Sequence, residues 1–303
     1  MQNGVYNCHI TKKAALSNRI TKGKIKMKKI IALVLATVLC FGCVCALSSC
    51  NQPVTRIGIQ GGTTSEMYAK TLKNVEVVPF NSFSLAATDM KNGNVDYVMV
   101  DKTTAKAICS KIDGIKIVDI PFSNENYGIG IDPAQAALKD EINRILVEKA
   151  IQIAAIQAKY AAGLESTYVG VTSATKNLDN KAGQLVVATN AEFPPFESVE
   201  TVDGVTTYYG IDMEIAALIA DELNLELVIE EMEFDAVVGA VGKHGVDIAM
   251  SGITITAERL AVINFSNPYY TESIVMLCKA DDTTFDSAGT VIDLLNIICY
   301  PED

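Results

Sequence analysis

Acidic residues are missing from the first 50 positions of this 303-residue chain, and histidine is nearly missing throughout. Of its two histidines, His9 lies in the acid-free stretch and His244 in a Lys243-His244-Gly245 turn that reads as surface. No nucleophile–base pairing built on histidine presents itself, so proton-transfer catalysis lacks its commonest agent. Five of the eight cysteines, Cys8, Cys40, Cys43, Cys45 and Cys50, also fall within the first 50 residues. The remaining Cys109, Cys278 and Cys299 are too scattered for a disulfide framework or a CxxC metal pattern, so an apolar core has to hold the fold. The turn Gly61-Gly62-Thr63-Thr64 lacks the Lys-Ser/Thr ending of a phosphate loop. No basic surplus offers itself to a nucleic acid either. From residue 30 on, 17 Lys and Arg stand against 36 Asp and Glu, a formal charge of −19 that suits solubility. No cofactor and no metal are expected.

What is present begins with Lys28-Lys29, an uncharged apolar run from Ile30 to Cys45, and Leu47-Ser48-Ser49-Cys50. A basic start, an apolar middle and small residues before a cut are the parts of an export signal. The run is shorter than the ~20 residues of a spanning helix. Leu47-Ser48-Ser49-Cys50 resembles a bacterial lipobox, which would make Cys50 a lipidated first residue. The alternatives are a plain signal peptide or an uncleaved apolar anchor. Residues 1–26 read as an upstream extension, with Met27 as the true start, and 27–49 as the signal.

From residue 56 short β-branched runs alternate with helical patterns: strands over 57–59, 75–80, 95–100 and 115–118, helices over 65–72, 83–92 and 103–111. This βαβα rhythm predicts an α/β fold with a mainly parallel sheet flanked by helices. An extended piece over 127–131 and a long amphipathic helix over 134–160 follow, then a polar linker over 163–184. A second α/β unit has strands over 185–189, 225–231 and 246–250 and helices over 211–223 and 235–243, with a strand over 273–278 expected to close it. The resulting divisions are 50–126, 127–162, 163–184, 185–280 and a divergent or truncated tail, 281–303.

Five segments carry a resemblance: Val187-Ala188-Thr189-Asn190-Ala191-Glu192-Phe193-Pro194-Pro195-Phe196, Asp247 to Arg259 with its Ser251-Gly252-x-Thr254-x-Thr256-x-x-Arg259 pattern, Ile57 to Thr64, Gly93 to Asp101, and Phe265-Ser266-Asn267-Pro268-Tyr269-Tyr270. The chain resembles the bacterial extracellular solute-binding proteins of family 3, which serve polar amino acid ABC transporters. The resemblance implies a two-lobed, type II periplasmic-binding-protein-like Venus-flytrap. It also implies a free polar amino acid as ligand, a membrane ABC transporter permease as partner, no nucleic acid, and a monomer; with the lipobox, the chain is expected on the outer face of the bacterial cytoplasmic membrane, extracellular or periplasmic. The family's lobes stand here in reversed order, so the chain reads as circularly permuted, with its new ends in one inter-lobe crossing, that crossing cut, and the lipid-bearing end near the hinge. Fusion of two receptor gene fragments is the other origin of that order.

A free amino acid presents a carboxylate and an ammonium, so its receptor needs a fixed cation and a fixed anion across a dry cleft. The resemblance gives Arg259, whose planar fork suits a carboxylate, the first part. The plain alternative is a solvated arginine in a helix capped by Thr256. Asp101, at the carboxyl end of a strand, takes the ammonium by resemblance, or else serves as the N-cap of the next helix. Gly62, Thr63 and Thr64 would offer backbone N–H groups at a helix start to the carboxylate, or form only a capped turn. Ser251, Gly252 and Thr254 would add partners from the other lobe. Phe193 and Phe234 match positions flanking the ligand, with core filling as the alternative. Asn190 matches a position contacting the ligand side chain, and its neutral amide favours a neutral ligand. An exported enzyme or a sensor on the same fold is the remaining reading. Neither a catalytic pairing nor a later membrane span supports it.

Overall fold

A computed structural model describes residues 54–177 and 183–300. The proposed extension, the signal and the lipidated Cys50 lie outside the described residues. The first lobe follows the expected alternation through β1 (Thr55–Gln60), α1 (Thr64–Ala69), β2 (Val75–Phe80), α2 (Phe83–Asn92), β3 (Tyr97–Asp101), α3 (Lys102–Lys111) and β4 (Ile115–Val118). Local chemistry sets these limits. The Ser82 hydroxyl accepts from Leu85 N–H to start α2, and Gly93 ends it in the left-handed conformation at φ +84°.

The chain then crosses through β5 (Glu125–Tyr127) to β6 (Gly130–Ile131), α4 (Ala136–Glu148) and α5 (Ala150–Ala161). The long helix expected over 134–160 is broken at Lys149, which pairs with Glu222; the two halves bend around the neighbouring helix and bury Ile142, Ile145 and Ile153. The second lobe contains β7 (Gln184–Thr189), β8 (Glu192–Phe193), β9 (Glu197–Val202), β10 (Val205–Tyr209), α6 (Ile211–Glu222), β11 (Glu226–Glu231), α7 (Phe234–Ala240), β12 (Ile248–Ala249), α8 (Ala257–Leu260) and β13 (Asn264–Phe265). The chain returns by β14 (Tyr270–Glu272) and β15 (Ile274–Lys279) and ends the described part with α9 (Val291–Cys299).

Each lobe centres on a five-stranded sheet, ordered β2-β1-β3-β15-β4 in the first and β11-β7-β12-β6-β13 in the second. In each, four strands run one way and one opposes both neighbours: β15 against β3 and β4, β6 against β12 and β13. The opposing strand is lent by the other stretch of chain. This corrects the expectation for residues 273–278, which do not close the second unit but sit inside the first lobe's sheet. Ile274 to Cys278 are all buried, as a strand covered on both faces requires, and such a run names no partner sheet. The expected cut crossing is corrected as well. Strands β5 and β14 pair antiparallel, so two covalent crossings run side by side between the lobes. Thr55 and Ile298 instead meet within the first lobe, where the Thr55 hydroxyl donates to the Ile298 carbonyl at 2.6 Å.

The tail over 281–303 is therefore structured as far as Tyr300. Leu294 and Ile298 pack against Ile57, Ile59 and Met276, and Thr290 with Asp293 forms a reciprocal capping box at the start of α9. Thr290→Ala is expected to lower stability by about 1 kcal/mol in urea melting, the usual loss for an N-cap hydroxyl. An unchanged midpoint would mean that α9 docks without its cap.

Candidate functional site

Strand ends of both lobes meet at one narrow cleft, the position where open α/β sheets gather their functional groups. From the first lobe come Gln60, Thr63, Thr64 and Asp101; from the second come Phe193, Phe234, Gly252, Thr254 and Arg259. The enclosed space is about 10 Å³, room for one water, so anything as large as an amino acid enters only if the lobes part. Crevices of about 400 Å³ beside Lys106 and Tyr209, and about 710 Å³ beside Tyr97 and Tyr300, have no buried charged residue in their walls.

Of the plain alternative for Arg259 the structure keeps the helix cap but not the solvation. Its N–H is capped by the Thr256 hydroxyl, yet the side chain is buried at 8 % exposure. Nη1 donates to the Thr254 carbonyl at 2.8 Å and Nη2 to the Gly62 carbonyl of the other lobe at 3.0 Å. The guanidinium lies 5.7 Å from the centre of the Phe234 ring. Burial lowers its pKa, opposed by the fields of Glu125 and Asp101. Both acids are near enough to be felt, but no ion pair to Arg259 is formed among the described residues. A buried cation bound only to carbonyls has unused capacity for an anion.

For Asp101 the capping alternative fails. It occupies the N-cap position of α3 without making a side-chain cap bond, and its buried Oδ1 has no partner. Burial, reinforced by Glu272 and Glu125 and opposed by the Tyr127 hydroxyl, pushes its carboxyl up to about 7. Glu125 Oε2 is likewise buried and unpartnered. Glu125 faces Glu272 directly across the β5–β14 pair, two buried carboxyls in register where opposite charges are the stabilising choice. Of the three carboxyls only Asp101 lines the cleft; Glu125 and Glu272 lie behind it, near enough for their charges to act on Asp101.

Two expectations are corrected. The Gly62 N–H is not open to an anion, because Glu66 Oε2 accepts it at 2.7 Å; it is the Gly62 carbonyl that faces Arg259. The Ser251 hydroxyl does not line the cleft: it accepts from Asn190 N–H and donates to Glu197 Oε1, both inside the second lobe. Thr63 lines the cleft and also caps α1 through its contact with Glu66 N–H, while Thr64 opens that helix at the cleft wall. Gly252, at φ +53°, is held by Asp212, and a Cβ there would lie 2.6 Å from the Phe193 ring. Phe193 bridges the lobes, 5.8 Å from Phe83 in the first and 5.4 Å from Phe196 in the second. Phe234 both lines the cleft and belongs to the second lobe's core.

Asn190 lies behind the cleft wall, its amide engaged on both sides. It donates to the Met232 carbonyl and accepts from Gln60 Nε2 at 2.8 Å, a buried bond between the lobes. Sequence reasoning missed Gln60, although its place at the carboxyl end of β1 was the available signal. It also missed Glu125, Glu197 and Asp212, whose burial no local pattern announces.

Residues 185–296 match the sequence profile of bacterial extracellular solute-binding proteins, family 3. Among similar proteins, the arginine-binding extracellular protein ArtP of Bacillus subtilis is 30% identical over 117 residues, 38% of this chain and 44% of that protein. The probable ABC transporter arginine-binding protein ArtJ of Chlamydia trachomatis is 35% identical over 96 residues, 32% of this chain and 36% of that one. The matched segment thus spans less than half the length of these relatives. A solved GluR0 ligand-binding core in complex with L-glutamate aligns with 81% of this chain and 92% of its own, at 11% identity and a TM-score of 0.39. Segment 185–296 is thus similar in sequence to the bacterial extracellular solute-binding proteins, family 3.

Proposed function

We propose that this chain is an exported receptor that closes its two lobes on a free amino acid and presents it to an ABC importer, anchored by a lipid on Cys50. One observation carries the reading: a buried cation without an ion pair, Arg259, and a buried carboxyl oxygen without a partner, Asp101 Oδ1, face one cleft from opposite lobes. A zwitterion supplies both missing partners at once. Ligand binding then favours the closed arrangement by its differential affinity for it. Relatives named as extracellular or periplasmic binding proteins support the location outside the cytoplasmic membrane. The reversed lobe order is read as a circular permutation, supported by the two intact crossings and by the Thr55–Ile298 contact.

The ligand we assign is a cationic amino acid rather than the neutral one that Asn190 alone favoured. The Asn190 amide is already spent on Gln60 and Met232, while Glu125 and Glu272, buried behind the cleft wall, add negative field around Asp101. The relatives named for arginine agree with that assignment. Calorimetric titration with the L-amino acids is expected to give one site per chain that takes L-arginine or L-lysine at least about tenfold more tightly than L-glutamine, a difference of ~1.4 kcal/mol. A folded sample that binds no L-amino acid overturns the receptor reading. Tighter binding of L-glutamine would overturn only the ligand assignment.

A further inference from the structure

Beneath the cleft wall of the second lobe lie two carboxyls that the proposed zwitterion trap does not use. Glu197, at the start of β9, and Asp212, in the first turn of α6, are both 0 % exposed. Main-chain bonds bring them together: Ile211 N–H donates to the Pro195 carbonyl at 3.0 Å and Asp212 N–H to the Phe196 carbonyl at 2.9 Å. Gly210 permits that approach, because a Cβ there would lie 2.0 Å from the Phe196 oxygen and its φ is +138°. Asp212 accepts the Gly252 N–H at 2.8 Å and the Tyr269 hydroxyl at 2.7 Å. Glu197 Oε1 accepts the Ser251 hydroxyl at 2.7 Å, while its Oε2 has no partner. The two acids thus hold adjacent residues of the loop that carries Gly252 to the cleft.

The groups facing this pair are Ser251 and Gly252 from the loop after β12 and Tyr269, with Tyr270 beside it, from the segment entering β14. The lysines that reach α6 pair elsewhere, Lys159 with Glu214 and Lys149 with Glu222. Two dry anions side by side with no cation are prohibitive, so the pair has to keep a proton. Asp212 has the donors and the helix N-terminus that favour an anion. Glu197 Oε2, the oxygen without a donor, is the place for the proton. Burial, added to by the Asp212 charge, raises the Glu197 carboxyl well above its usual range, and burial raises Asp212 to about 7.

We propose that Glu197 is a proton-bearing positioning residue: its neutral carboxyl lets Asp212 stay buried beside it and hold the Ser251–Gly252 wall against a bound amino acid. Loss of that proton on the alkaline side puts two charges under the wall and loosens it, so ligand affinity falls. The inference rests on the receptor reading, and its test has one arm that does not.

In the first arm, L-arginine is titrated into the full chain and into Glu197→Gln, whose amide mimics the neutral acid, over a pH range rising from neutral into the alkaline side. The wild-type affinity is expected to fall several-fold more than that of the variant across this range. In the second, ligand-free arm, both proteins are melted between pH 5 and 8. A carboxyl raised on folding binds more protons in the native than in the unfolded chain, so wild-type stability should fall as pH rises through this window and fall less steeply in Glu197→Gln. Parallel pH profiles in the melting arm overturn the proposal. If L-arginine binds neither protein, the receptor reading fails while the melting arm still decides the protonation. Should Glu197→Gln not fold, Asp212→Asn carries the same measurements with the same expected flattening.

Discussion

Arg259→Ala is expected to weaken amino acid binding by about 2–5 kcal/mol, roughly thirtyfold to several-thousandfold in Kd, because the ligand carboxylate then lies in a desolvated cleft with no cation. The guanidinium is well prepared for that task. Thr254 and the stack on Phe234 hold it in place, and Nη2 is tied only to the Gly62 carbonyl, a contact that breaks when the lobes part. Arg259→Lys is expected to recover only part of the loss, since an ammonium cannot reproduce two parallel bonds to a carboxylate. The readout is calorimetric affinity for L-arginine, with melting to confirm that each variant is folded. Unchanged affinity in Arg259→Ala would move the carboxylate to another partner.

Acidification should release the ligand from the other lobe. The Asp101 carboxyl, pushed up to about 7 by burial, has to be ionised to take the ligand ammonium. Affinity is therefore expected to fall by up to tenfold per pH unit below about 7, until protonation begins in the bound state as well. Asp101→Asn should lower affinity at neutral pH by an amount comparable to Arg259→Ala and remove this acid-side dependence. An acid limb that persists in Asp101→Asn would assign the titration to a different group. In the ligand-free protein the same shift acts on stability with a definite sign. Between its ordinary value of 3.8 and about 7, Asp101 is more protonated folded than unfolded, so its contribution to stability declines as pH rises through that window.

Much of the site was legible because strand–turn–helix junctions are local. A β-branched run ending in Asp101, or in Gln60 followed by Gly61-Gly62, places its last residue at a sheet edge whatever the rest of the chain does. Helix caps were equally local: Thr63, Ser82, Thr256 and Thr290 all accept the N–H bonds that their positions call for. One local signal was passed over. Asp203-Gly204, both at positive φ, makes the tight turn between β9 and β10, and the dipeptide itself marks such a hairpin. Ser251 was misread for a different reason. Its motif position gives the backbone path, but the direction of its hydroxyl depends on Glu197, 54 residues earlier in the chain.

By itself the sequence determined the alternation of strands and helices, the two α/β units, the acidic surface, and the residue types that converge on the cleft, since all of these follow from local periodicity, composition and caps. Only the tertiary structure decided that β15 lies inside the first lobe's sheet, that both crossings run through the β5–β14 pair, and that α9 packs back on β1. It alone showed that Asp101 does not cap its helix, and that Glu125, Glu197, Asp212 and Glu272 are buried. An apolar run records that a segment is covered, not which sheet covers it, and a carboxyl acquires its unusual proton affinity only from distant neighbours that fold around it.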